Sequence, residues 1–78
     1  MDTLERVLEI LEDIDPNIDF RNETGLVDRQ LINSFFLITL IGELEDAFDI
    51  RITTAEVIPA NMKSAAAIAA MVERLQSK

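Results

Sequence analysis

The side chains able to do chemistry in this chain are few. Among 78 residues there is no histidine, cysteine, tyrosine or tryptophan. Without histidine the commonest general base and zinc ligand are missing, together with every Ser-His and Cys-His nucleophile pair. Without cysteine there is neither a disulfide nor a thiolate metal site. Any catalysis would rest on carboxylates, lysines or hydroxyls alone, so the composition points to a protein that is not itself an enzyme. One hydroxyl stands apart from the rest. In the stretch LINSFFLITL, Leu31 to Leu40, Ser34 directly precedes Phe35 and Phe36, two of only four phenylalanines. Asn33 and Ser34 are both good helix N-cap types, and capping explains either one. A helix start also offers free backbone N–H groups and the positive end of the helix dipole, which suits a phosphate. A serine there, outside the core, could carry a phosphodiester.

The elements that would hold Ser34 are helical. The first is expected from Asp2 to about Ile14, where Leu4, Val7, Leu8, Leu11 and Ile14 form one apolar stripe. Asp2 and Glu5 have capping-box spacing, and Pro16 stops the helix. The second is expected from Ser34 to about Phe48. The third is one short turn, with Thr53 and Glu56 as a capping box and Ala55 to Ile58 preceding Pro59. The fourth runs from near Ser64 to about Gln76, with Ile68, Met71, Val72 and Leu75 inward and alanines permitting close packing. No strand alternation of useful length competes; DIRIT, Asp49 to Thr53, is too short. Between the first two helices lies a 19-residue connection, Asp15 to Asn33, longer than most loops of compact domains. Ile18, Phe20, Leu26, Val27, Leu31 and Ile32 are positioned to pin it to the core, and Gly25 suits a turn. The expected fold is all-α, a small four-helix bundle of three longer helices and a short third one. It spans residues 1–78 as a single domain, with a long structured crossover leading to Ser34.

The second helix can be read around its axis at about 100° per residue from Ser34. Leu37, Ile41, Leu44 and Phe48 fall near 280–340° and face the core by this estimate, with Leu40 and Ala47 widening that face. Thr39, Glu43 and Asp46 fall opposite, near 120–180°. Phe35 at about 100° and Gly42 at about 80° share the solvent side. Phe35 either packs on the preceding loop or touches a partner, and aromatic anchors are enriched in interfaces. Gly42 is either tolerated or leaves a notch where another surface approaches. Phe36 sits at a boundary and stays open between loop and core.

With 7 basic and 15 acidic residues the formal charge is −8. Nucleic acid and anionic membrane surfaces are disfavoured; a basic protein partner fits better. The apolar run Phe35 to Ile41 is too short to span a bilayer, and nothing at the start reads as a secretory signal, so a cytoplasmic protein, monomeric and not inserted in a membrane, is expected. DPNIDFRNETG, Asp15 to Gly25, has scattered oxygen ligands without the EF-hand pattern and reads as a solvated loop, so no metal site is expected.

The stretch LINSFFLITLIGELEDAFDIRI resembles the acyl carrier proteins and the related peptidyl and D-alanyl carrier proteins. In that family an Asp-Ser-hydrophobic motif opens the second helix, followed by core aliphatics, an acidic segment, Phe-Asp and a short extended piece. Ser34 falls on the family's modified serine, Leu44 on the leucine before the acidic segment, and Phe48 and Asp49 on its Phe-Asp. Gly25 to Val27 resembles the leader to the motif, and the short third and alanine-rich fourth helices sit where the family has them. The resemblance covers most of the chain and implies an acyl-carrier-like fold. It also implies a carrier domain with 4'-phosphopantetheine attached to Ser34 by a separate phosphopantetheinyl transferase, with Asn33 flanking as helix cap. An acyl or aminoacyl group would ride on the arm's terminal thiol as a thioester. A loading ligase and a downstream transferase or synthase would dock on the second helix through Phe35, Thr39, Gly42, Glu43 and Asp46. The missing catalytic residues fit this, because the reactive sulfur belongs to the cofactor. Two positions depart from the pattern. Asn33 replaces the usual Asp, keeping the cap but losing a charge. Phe36 and Thr39 replace frequent carboxylates, which points away from housekeeping fatty-acid synthesis towards a dedicated pathway such as D-alanyl or other aminoacyl transfer. The runner-up expectation is an unmodified acidic adaptor that binds a protein through the Phe35 face.

Overall fold

Three side chains start the three longer helices. Asp2 accepts the Glu5 N–H at 2.8 Å and opens α1 (Thr3–Ile14). Asn33 accepts the Phe36 N–H at 2.8 Å and opens α2 (Ser34–Phe48). After a 3-10 turn (Thr54–Glu56) and a single helical turn, α3 (Pro59–Met62), Ser64 accepts the Ala67 N–H at 3.1 Å and opens α4 (Ala65–Gln76). Each cap satisfies a backbone donor that the first helical turn leaves unpaired. The computed structural model describes residues 2–77, and all regular structure among them is helical. α1 packs on both α2 and α4, and α3 sits against α4. The radius of gyration, 11.3 Å, matches the roughly 11.5 Å of a compact chain of this length.

The core joins all of these elements. Val7, Leu8, Ile10 and Leu11 enter it from α1, Phe36, Leu40 and Leu44 from α2, and Ala65, Ile68, Ala69, Met71 and Val72 from α4. Met62 from α3 and Ile52 from the extended piece after α2 complete it. The crossover contributes as expected. Phe20 and Leu26 are fully buried, while Ile18, Val27, Leu31 and Ile32 pack half-buried against the core. The Leu26 N–H donates to the Lys63 carbonyl at 3.0 Å, which ties the loop to the residue before Ser64. Arg21 forks onto both carboxylate oxygens of Glu5 at 2.9 and 2.7 Å, fastening the loop to α1. That hydrogen-bonded pair holds the Glu5 carboxyl below its ordinary 4.5 and raises the Arg21 guanidinium. Arg74 makes the same kind of fork onto Glu56, joining α4 to the 3-10 turn.

Several expectations from the sequence need correction. In α1, Ile10 is buried, whereas Leu4 is 39% exposed and Ile14 is half-buried. In α2 the fully buried line is Phe36, Leu40 and Leu44; Leu37, Ile41 and Phe48 do face the core but pack half-buried against it, and Ala47 is exposed. The inward face is turned towards Phe36 because the crossover lies on that side and brings Phe20 against it. Pro59 does not close the third helical piece. It begins a separate turn, since its missing N–H and fixed φ suit a first helical position. The Thr53 side chain makes no cap hydrogen bond, and the Glu56 carboxylate goes to Arg74 and Asn61. Gly25 does begin a turn, its carbonyl accepting the Arg29 N–H at 2.8 Å, without a positive φ; the left-handed positions among the described residues are Gln30 (φ 55°) before the approach to Ser34 and Asp49 (φ 53°) at the end of α2.

Candidate functional site

The chain has three serines, and their hydroxyls are in different situations. The Ser64 oxygen is held by the Ala67 N–H, and the Ser77 hydroxyl donates to the Glu73 carbonyl at 3.1 Å. Ser34 is exposed at the first position of α2, and its hydroxyl forms no hydrogen bond among the described residues. The capping role falls to Asn33. Because Asn33 takes that role, the Ser34 oxygen is left free for a bond to something else.

Electrostatics around Ser34 follow from the same helix start. The Asn33 side chain binds the Phe36 N–H, and the Asn33 carbonyl binds the Leu37 N–H at 3.0 Å. The Ser34 and Phe35 N–H groups have no acceptor among the described residues, so two donors and the positive helix end point past the serine. No acidic residue lies in the first turn of α2, and its first charged residue is Glu43. An anionic phosphodiester on Ser34 would therefore meet donors and a favourable dipole with no like charge on the first two turns.

The approach to the serine is anchored. Leu31 and Ile32 are half-buried against the core, and the Leu31 N–H donates to the Leu26 carbonyl at 3.0 Å. One turn further on, the Phe36 and Phe20 rings lie 6.0 Å apart, so the crossover and the start of α2 share one aromatic contact. Phe36, open at the sequence level, is thus core.

The expected partner face is solvent-facing in most of its parts. Phe35 is 78% exposed, and Glu43, Asp46 and Gly42 are exposed. A Cβ added at Gly42 would meet no heavy atom within 4 Å, so the notch is open. Thr39 is less available: it is half-buried, and its hydroxyl donates to the Phe35 carbonyl at 3.1 Å. The sequence reading missed Ile38, which is 72% exposed beside Phe35. Its position, about 40° around the helix from Ser34, signalled this, but an isoleucine in an apolar run passes for core.

A cavity of about 160 Å³ opens elsewhere, among Leu4, Leu8, Phe20, Thr24, Ala65 and Ala66. Phe20 is part of its lining, and neither Phe36 nor Ser34 is. Among the described residues no group of acidic side chains is arranged to hold a metal ion, and no helix is long and apolar enough to cross a membrane.

No protein-family model matches this sequence, and no curated protein matches it. The site is therefore read from its own residues.

Proposed function

We propose that the protein is a non-catalytic carrier that holds an acyl or aminoacyl group on a phosphopantetheine arm attached to Ser34. The observation that carries this reading is the state of the Ser34 hydroxyl: exposed, free of hydrogen bonds among the described residues, and set at a helix start where the Ser34 and Phe35 N–H groups lack acceptors among the described residues. The resemblance of LINSFFLITLIGELEDAFDIRI to the carrier family supports it. So does the arrangement of three longer helices, a short third one and a pinned crossover ending at the serine.

Attachment is a phosphoryl transfer catalysed by a separate phosphopantetheinyl transferase. The Ser34 oxygen bonds to the β-phosphorus of coenzyme A, the bond from that phosphorus to the bridging oxygen breaks, adenosine 3',5'-bisphosphate leaves, and the serine proton passes to a base of the transferase or to water. Asn33 positions the serine by fixing the first turn of α2, and the Ser34 and Phe35 N–H groups stabilise the phosphodiester's charge. Leu31 and Ile32 hold the serine at the surface. When bound, the arm supplies a thiol that carries the cargo as a thioester. Phe35, Gly42, Glu43 and Asp46 present a surface to the transferase, to a loading ligase and to a downstream transferase or synthase. Incubation with a broad-specificity transferase and coenzyme A, followed by intact mass, tests the reading. One phosphopantetheine is gained by the wild-type chain and none by Ser34→Ala.

A second reading is favoured by the 78% exposure of Phe35. An unmodified acidic adaptor would bind a protein through the Phe35 face of α2. It requires Ser34→Ala to be silent in a partner-dependent activity while Phe35→Ala is not, whereas a carrier loses that activity with Ser34→Ala.

A further inference from the structure

The cavity of about 160 Å³ lies where the start of α1, the crossover and the start of α4 meet. Its floor is apolar and closed, since Leu8, Phe20 and Ala65 are buried. Its rim is open: Leu4 is partly exposed, and Thr24 and Ala66 are exposed. An apolar cavity of roughly 150 Å³ is large enough to take a molecule the size of benzene. Water against such a floor finds few partners, and an apolar group that displaces it gains affinity.

The polar groups at the cavity decide which kind of molecule fits. The Ala65 and Ala66 N–H groups, in the first turn of α4, have no acceptor among the described residues, and the Thr24 hydroxyl makes no hydrogen bond among them. All three donate, so an ammonium, which has no acceptor, gains nothing from the two N–H groups. The charges weigh against an anion. Arg21 at the rim is already forked onto Glu5, and Glu12 and Asp19 act on the same guanidinium. Glu23, also in the lining, is held by the Gly25 N–H and by Arg29. Carboxylates thus outnumber the guanidinium groups they meet on this side of the molecule. We infer that the cavity is a binding site for a small uncharged molecule with a benzene-sized apolar body and one hydrogen-bond acceptor, such as an amide or ester carbonyl. The body lies over Leu8 and Phe20, and the acceptor lies at the rim between Thr24 and the start of α4. Ser34 takes no part, so this site goes beyond the carrier reading and stands or falls without it. Because the ligand touches α1, the crossover and α4 together, it binds the folded chain alone and stabilises it by mass action.

The test is a titration of the isotope-labelled chain with benzamide, read by amide NMR, beside the anionic and cationic analogues benzoate and benzylammonium. Benzamide shifts the Thr24, Ala65 and Ala66 signals saturably, with a Kd on the order of 1 mM, and raises the thermal midpoint. Benzoate and benzylammonium bind at least about tenfold more weakly. Thr24→Val keeps the shape of the rim without its hydroxyl and weakens benzamide about threefold to tenfold. Ala66→Leu places bulk at the mouth and abolishes the shift at Thr24, while the α2 signals keep their wild-type positions. Ser34→Ala binds benzamide as the wild-type chain does. Shifts that stay linear in benzamide concentration, equal affinity for benzoate, or undiminished binding by Ala66→Leu would each overturn the inference.

Discussion

The ring of Phe36 lies 6.0 Å from that of Phe20, tilted by 39°, while the adjacent Phe35 points to solvent. Two consecutive aromatics thus play opposite parts. Phe36 locks the crossover onto α2, and Phe35 is left outside beside Ser34. Phe36→Ala is expected to destabilise the fold by about 3–5 kcal/mol, because it empties a buried site and ends the ring contact. Phe35→Ala is expected to shift stability by less than about 0.5 kcal/mol. Urea unfolding of the two variants reads both values.

Asn33 is expected to matter chiefly as a cap. Asn33→Ala removes the acceptor held by the Phe36 N–H and costs about 1 kcal/mol. Asn33→Asp keeps the acceptor and places a negative charge at the positive helix end, for a gain of about 0.3–1 kcal/mol. Thermal melts of both variants at low ionic strength should move in opposite directions from wild type.

Gly42 tolerates a methyl group sterically, since nothing lies within 4 Å of where it would stand. Gly42→Ala is therefore expected to stabilise the protein by about 0.5–1 kcal/mol through helix propensity, read as a higher urea midpoint with unchanged slope. A destabilised Gly42→Ala would mean that the helix is distorted there.

The Glu5–Arg21 fork gives stability a defined pH dependence. Glu5 has a lowered pKa in the fold, so its contribution is complete above the ordinary value of 4.5 and is lost as pH falls through the lower folded value. The stability difference between wild type and Glu5→Gln should be constant from about pH 7 to pH 5 and shrink below about pH 4.5. Urea unfolding across that range measures it, and a difference that grows on acidification would reverse the sign.

Much of this architecture was legible in the residues. The bounds of α2 followed from Asn33, Ser34 and the run to Phe48, and α4 followed from Ser64 and its aliphatic spacing, because caps and periodicity act locally. The crossover's attachment through Phe20 and Leu26 was also readable, since apolar residues in a long loop need a core. What depended on tertiary contact was not. The turn of α2 towards Phe36 is set by where the crossover lies, which no helical wheel contains. Pro59 is compatible with ending one helix or starting another, and packing of Met62 into the core goes with the second outcome. At the site, Ser34 and Phe35 stood out by type and angle. Ile38 did not, because an isoleucine in an apolar run passes for core even at an outward angle of about 40°.

The account rests on a covalent bond at one oxygen, and tryptic mapping after transferase treatment tests it most directly. Cleavage at Arg29 and Arg51 releases the peptide Gln30 to Arg51, in which Ser34 and Thr39 are the only hydroxyl residues. Tandem mass spectrometry is expected to place one phosphopantetheine on Ser34 and none on Thr39. An unmodified Gln30–Arg51 peptide in fully treated protein, or an arm found on Ser64 or Ser77, would contradict it.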